Sequence, residues 1–284
     1  MGVGEFRKDP EGSAGSGEER AKRESRLVGY EGTDRVVQFL AYLREKGEID
    51  TKIKRFETGF IQLDGLTEGF ETGEMIVITG PTGNGKTLLA ESIGKNLMQQ
   101  GANALWFSYE VATASLLKKY QVMDTFGLYV PMQLKAGDFT WLVDRCLEAK
   151  LKYDCRIVFI DHLHYLVDMS TKLNMSLNIG GVLRQLKNIV AVGMNMVVVL
   201  ICHQEKSEKD TEASLDRSRD SSFIGQECDI GLVVFRSPDP SPVKGMPSSY
   251  EQGWATVKVD KARRAGTFRK KLSYIKKGPW LEEF

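Results

Sequence analysis

The sequence predicts an α/β fold with a mostly parallel central sheet, helices on both faces and a C-terminal β-hairpin. Three observations carry this. Short, continuous apolar runs alternate with helical-period segments from Phe56 onward. A glycine-rich turn, Gly80–Thr87, joins one such run to a helical segment, and another run ends in Asp161. Each element follows from the same patterns. The runs Met75–Thr79, Ala104–Ser108, Arg156–Ile160, Met196–Cys202 and Ile230–Phe235 read as strands buried on both faces. Helices are expected over Lys86–Gln99 and Trp141–Lys150. Another is expected where Ile179, Val182, Leu183, Leu186, Ile189 and Val190 recur at helical spacing. Trp254–Asp260 and Phe268–Ile275 form the expected hairpin.

The chain has 284 residues, enough for one large domain, assigned to residues 51–284. Residues 1–30 are rich in Gly, Ser, Glu, Lys and Arg and are expected to be a disordered tail. Residues 31–50 hold a short amphipathic helix from Thr33 to Lys46, with Val36, Val37, Leu40 and Leu43 on one face and Gly47 as its stop. That face must pack either on its own domain or on a neighbouring subunit. The net charge of +1 means that any affinity for nucleic acid must come from local basic loops. Cys146, Cys155, Cys202 and Cys228 form no C-x-x-C pair, so a cysteine zinc site is not expected; buried reduced thiols fit a reducing compartment. Runs such as Met194–Cys202 are too short to span a bilayer, and the N-terminus has no apolar signal core, so the expectation is a cytoplasmic protein without membrane partners.

Gly80-Pro81-Thr82-Gly83-Asn84-Gly85-Lys86-Thr87 satisfies the G-x-x-x-x-G-K-[ST] pattern between a strand and a helix. Glycines let the backbone wrap phosphates with its N–H groups turned inward. Lys86 is expected to neutralise the β- and γ-phosphates of ATP or another NTP, and the Thr87 hydroxyl to bind Mg²⁺. Asp161, ending an apolar strand, is the second expected Mg²⁺ ligand. His162 follows it where many NTPases have a water-activating Glu. Glu110, at the end of the strand Ala104–Ser108, is therefore the expected base, because ligands gather at the carboxyl ends of parallel strands.

His203 ends another buried strand and reads either as a γ-phosphate sensor or as a packed core histidine. His162 and His164 read as packing or loop residues. The long polar segment Gln204–Phe223 carries Lys206, Lys209, Arg217 and Arg219 among many acidic residues. It is either a solvated mixed-charge loop or one that grips phosphates. Lys172 and Asn174 mark a second candidate loop. Lys261 and Arg263 lie two apart after an alternating strand. They belong either to an exposed basic hairpin or to a cationic pair offered to a neighbouring subunit's phosphates.

With these motifs in this order, the chain resembles the RecA-like ATPase domain of DnaB-type replicative helicases. The resemblance is strongest to the helicase half of phage primase–helicases and to the helicase Twinkle, and it runs from about Thr58 to the C-terminus. Thr58–Gly69 is similar to the segment before the phosphate loop, Phe107–Glu110 to the catalytic-Glu segment, Leu200–His203 to the sensing His, and Lys261–Gly266 to the K-x-R-x-x-G element. The resemblance implies a hexameric ring that binds NTP between subunits and couples ATP hydrolysis to movement on single-stranded DNA in replication. It implies that Arg263, with Lys261, reaches across subunits, that Arg236 packs on the base, and that the Thr33–Lys46 helix links to the next subunit. A separate primase is a partner it allows. The rival readings are a RecA/RadA- or KaiC-like ATPase that does not unwind, and a non-hydrolysing, nucleotide-clamped adaptor.

Overall fold

The computed structural model describes residues 32–47, 49–121, 127–167, 175–204, 215, 221–236, 254–266 and 270–283. The expected tail and the candidate DNA-contacting residues Lys172, Asn174, Lys206, Lys209, Arg217 and Arg219 lie outside them.

The chain begins with helix α1 (Gly32–Glu45), followed by β1 (Arg55–Phe56), α2 (Ile61–Thr67) and β2 (Phe70–Glu71). The central elements are β3 (Met75–Gly80), α3 (Lys86–Gln99), β4 (Ala104–Ser108), α4 (Thr113–Tyr120), β5 (Leu128–Tyr129), α5 (Phe139–Tyr153) and β6 (Ile157–Asp161). Then come α6 (Met175–Gln185), which widens into a π-helix over Leu186–Gly193, β7 (Val197–His203), α7 (Ser221–Glu227) and β8 (Ile230–Phe235). The chain closes with β9 (Trp254–Ala262), β10 (Lys270–Lys277) and β11 (Trp280–Glu283).

Nine strands form one sheet in the order β5-β4-β6-β7-β3-β8-β9-β10-β11. The six from β5 to β8 are parallel, and β9, β10 and β11 add an antiparallel meander. The expected hairpin thus gains a third strand, and it belongs to the main sheet rather than standing apart. Helix α5 is longer than its apolar period indicated. The Asp138 carboxylate accepts from the Trp141 N–H at 2.9 Å and sets its start, and Asp154 in the left-handed conformation ends it.

Every residue of β3, β4 and β6 is buried, which explains their unbroken apolar runs. Alternate residues feed two cores. Val77, Phe107, Ile160 and Val198 face a layer built by α1, α5 and α6. Ile76, Ile78, Phe159 and Val199 face a layer built by α2, α3, α4 and the meander. Helix α1 packs on its own domain. Val36, Phe39, Leu40 and Leu43, at i, i+3, i+4 and i+7 spacing, are buried in the first core, and Arg44 donates to the Val192 and Gly193 carbonyls at 2.7 and 3.0 Å. Val37, expected on that face, is 47% exposed; Phe39 takes its place. Within this chain, the face assigned by resemblance to a neighbouring subunit is therefore covered in cis.

Candidate nucleotide site

The parallel register levels the carboxyl ends of four strands. Gly80 pairs with His203, and Asp161 pairs with Ser108 on one side and Ile201 on the other. Side chains just beyond these ends converge on one cleft of about 530 Å³, lined by Gly83, Gly85, Lys86, Thr87, Glu110 and His203 among others. Sequence-predicted residues from three distant places in the chain, the phosphate loop, Glu110 and His203, thus meet at one mouth.

The phosphate loop needs its glycines. Gly80 has φ 145°, and a Cβ there would meet the Val234 carbonyl oxygen at 2.0 Å, so no side chain fits. Gly85 takes the left-handed conformation (φ 98°) as the N-cap of α3, and no side chain caps that end. The helix therefore presents its N-terminus to the cleft, the arrangement that favours anions. Lys86 is nearly buried, and its Nζ donates to the Pro81 carbonyl at 3.0 Å. Burial lowers its pKa, while the carboxylates of Glu110 and Asp161 pull it up. Asn84 Oδ1 accepts from the Arg236 N–H at 2.7 Å, tying the loop to the end of β8. Sequence reasoning missed this role of Asn84.

Asp161 is fully buried, and its Oδ2 accepts from the Thr87 hydroxyl at 2.8 Å. Burial pushes its carboxyl up to about 6 against the lowering effect of the Thr87 bond. Its Oδ1 is buried without a hydrogen-bond partner among the described residues. A hydroxyl beside a carboxylate with an uncommitted oxygen is the hard-oxygen donor set that Mg²⁺ requires, so the residues fit that ion.

Glu110 is half-exposed, and its Oε2 lies 3.3 Å from His203 Nε2. Burial, then the charge of Lys86, lowers the His203 pKa against the pull of Glu110. His162, expected as a packing or loop residue, stands against His203, ring centroids 4.3 Å apart at 85°, and burial pushes its pKa down to about 3.

Lys261 and Arg263 do not line this cleft. The Lys261 Nζ donates to the Gly225 and Cys228 carbonyls at 2.7 and 2.6 Å. Arg263 pairs with Asp229 at 3.1 Å and donates to the Gln226 carbonyl at 2.7 Å, with its side chain 53% exposed. The cleft also recruits Glu91, ion-paired with Lys119, Lys276 near the end of β10, and Pro279 at the turn between β10 and β11. None of these was anticipated; the Lys-Lys-Gly-Pro run after the expected hairpin was the available signal.

The model of the DnaB-like helicase C terminal domain matches residues 56–126, the span from β1 through the phosphate loop to β4 and α4. This stretch is similar to that domain. Similar proteins include a probable replicative DNA helicase of Trieres chinensis, 25% identical over 63% of this chain and 47% of that protein. The replicative DNA helicase DnaB of Helicobacter pylori strain J99 is 21% identical over 85% of this chain and 54% of its own length. The chain thus spans about half the length of the curated relatives it matches. Among solved structures, a DnaB-like replicative helicase studied with primase superposes with a TM-score of 0.69 at 16% identity, covering 94% of this chain and 76% of that one. A second solved structure, an ATPase domain, superposes with a TM-score of 0.63 at 18% identity, covering 84% of this chain and 93% of that one. These likenesses show that the chain shares the fold of those two structures. No helix among the described residues is long and apolar enough to cross a membrane.

Proposed function

We infer that this chain is the motor of a ring-forming DNA helicase or translocase that couples NTP hydrolysis to movement on single-stranded DNA. The convergence of Lys86, the Thr87–Asp161 pair, Glu110 and His203 at one cleft carries the reading. The DnaB-like relatives support the choice of DNA as the track.

In this reading, Gly80–Lys86 cradle the phosphates of ATP or another NTP, and Lys86 offsets the charge of the β- and γ-groups. Thr87 and Asp161 would hold Mg²⁺, which supplies charge neutralisation at the phosphates when bound. Glu110 orients the attacking water and accepts its proton; His203, already within reach of Glu110, registers loss of the γ-phosphate. The strand that ends in His203 leads directly into the segment bearing Lys206, Lys209, Arg217 and Arg219. A change at His203 can thus pull on a loop that grips DNA phosphates, with Lys172 and Asn174 on the second loop. The Arg236 backbone is tied to the loop through Asn84, and its side chain would pack on the base. Arg263, with Lys261, serves the neighbouring subunit's nucleotide, which requires it to exchange Asp229 and Gln226 for phosphate. Seating α1 on a neighbour requires its apolar face to leave the first core.

Subunit mixing tests the shared site. Lys86→Ala and Arg263→Ala proteins are each inactive in this reading. Their mixture regains hydrolysis, because some interfaces combine an intact Lys86 with an intact Arg263. A mixture as inactive as its components would place Arg263 in cis, and an Arg263→Ala protein that hydrolyses normally by itself would place it outside the reaction.

A further inference from the structure

Among the described residues, one group of His, Cys, Asp and Glu side chains has the spacing of a metal site: Glu110, His162 and His203, whose ligand atoms all lie within 4.8 Å of one another. They come from the ends of three adjacent strands, β4, β6 and β7, so the sheet register itself holds them together. His203 Nε2 is already 3.3 Å from Glu110 Oε2. The two imidazoles meet edge to face, and each keeps a buried Nδ1 with no hydrogen-bond partner among the described residues.

The chemistry of this set differs from that of the Thr87–Asp161 pair. Two imidazoles and a carboxylate suit a borderline cation of the zinc class, which takes two His and one Glu and keeps a fourth position open. Oxygen-only donors suit Mg²⁺. Ligand atoms around a tetrahedral zinc sit roughly 3.4 Å apart, so the set must tighten by about an ångström. Glu110 and His203 already meet that spacing at 3.3 Å, and Glu110, with a side chain 41% exposed, leaves the site open to solution while the set closes on His162. Lys86 faces the group, offset by the carboxylates of Glu110 itself and Asp161; Lys119, paired with Glu91, and Lys276 line the same cleft.

We propose that Glu110, His162 and His203 form a binding site for a zinc-class divalent cation, and that filling it suppresses hydrolysis by withdrawing Glu110 from the water it orients. The binding half rests on geometry alone. The inhibitory half rests on the reading of Glu110 as the base.

The test separates the two. Co²⁺ is titrated into nucleotide-free, chelator-treated protein and followed by visible absorption. One equivalent should develop intense tetrahedral bands that Zn²⁺ removes. His162→Gln and His203→Gln should each weaken binding at least about 10-fold, the scale seen even for outer-shell partners. Thr87→Ala should leave the bands in place. Absence of saturable bands, thiolate-to-cobalt charge-transfer absorption, or equal titration of wild type and both glutamine variants would overturn the site. Zn²⁺ added in excess Mg²⁺ should then inhibit wild-type turnover and spare the residual turnover of His162→Gln. Binding without inhibition overturns the second half only. A chain that hydrolyses nothing leaves the cobalt result fully decisive, so failure here is distinct from failure of the motor reading.

Discussion

The two ends of strand β6 bury charge in opposite ways. At its amino end, Arg156 pairs with Asp50 at 3.2 Å and Asp154 at 2.8 Å. Beside it, Lys150 donates to the Asn195 carbonyl at 3.3 Å, and the Asn195 amide donates to the carbonyls of Asp50 and Lys52 at 2.9 Å. These contacts stitch the segment after α1 to the sheet. At the carboxyl end, Asp161, His162 and His203 each keep a buried polar atom without a partner among the described residues. Buried polar groups are ordinarily satisfied, because an orphan costs about 1–3 kcal/mol. Arg156 also keeps its Nη1 buried without a hydrogen-bond partner among the described residues, so the ends differ in how charge is met: two carboxylates flank Arg156, while the buried Asp161 carboxylate has the Thr87 hydroxyl and an uncommitted oxygen.

This contrast can be broken in decreasing steps. The largest effect belongs to the open end. Glu110→Gln should cut hydrolysis by about 10²–10⁴-fold, the range for loss of a general base, while nucleotide binding persists. Binding can be followed with a fluorescent nucleotide and turnover by phosphate release; a variant that turns over normally would move the base elsewhere. At the closed end the same logic runs in reverse. Arg156→Met should lower stability by about 1–3 kcal/mol in urea melts and leave turnover per folded molecule unchanged. A loss of turnover without loss of stability would erase the division between the ends.

The smallest effect is a pH dependence at the closed end. Burial, then the charge of Arg156, depresses the Lys150 pKa to about 8. The unfolded chain keeps that proton up to about 10.4, so it binds more protons than the folded chain between these values. Lys150 thus opposes folding fully below pH 8, and its contribution should rise in favour of folding from pH 8 to 10. The difference in stability between wild type and Lys150→Met should shift in favour of wild type across that window. A pH-independent difference would show that the ammonium is not under strain there.

Most of this architecture was legible in the sequence where the signal is local. The phosphate loop declares itself because eight contiguous residues must satisfy one backbone geometry. Strands β3, β4, β6, β7 and β8 declare themselves because burial on both faces forces unbroken apolar runs. Short elements escaped: β5 and α4 leave too few residues for a period to emerge, and β11 hides in a polar, aromatic run. His162 escaped for another reason. Its neighbour His203 lies on β7, and only the register between β6 and β7 brings the two rings together. The cleft residues Lys276 and Pro279 are likewise a product of the meander folding back, which no local pattern encodes.

The central claim is that the open end is a motor site answering to DNA. The most direct measurement is the rate of NTP hydrolysis with and without single-stranded DNA, on protein sized by light scattering. The account predicts a ring-sized species whose turnover rises strongly with DNA and loses that stimulation as salt increases. Turnover that is indifferent to DNA in an assembled ring would contradict it.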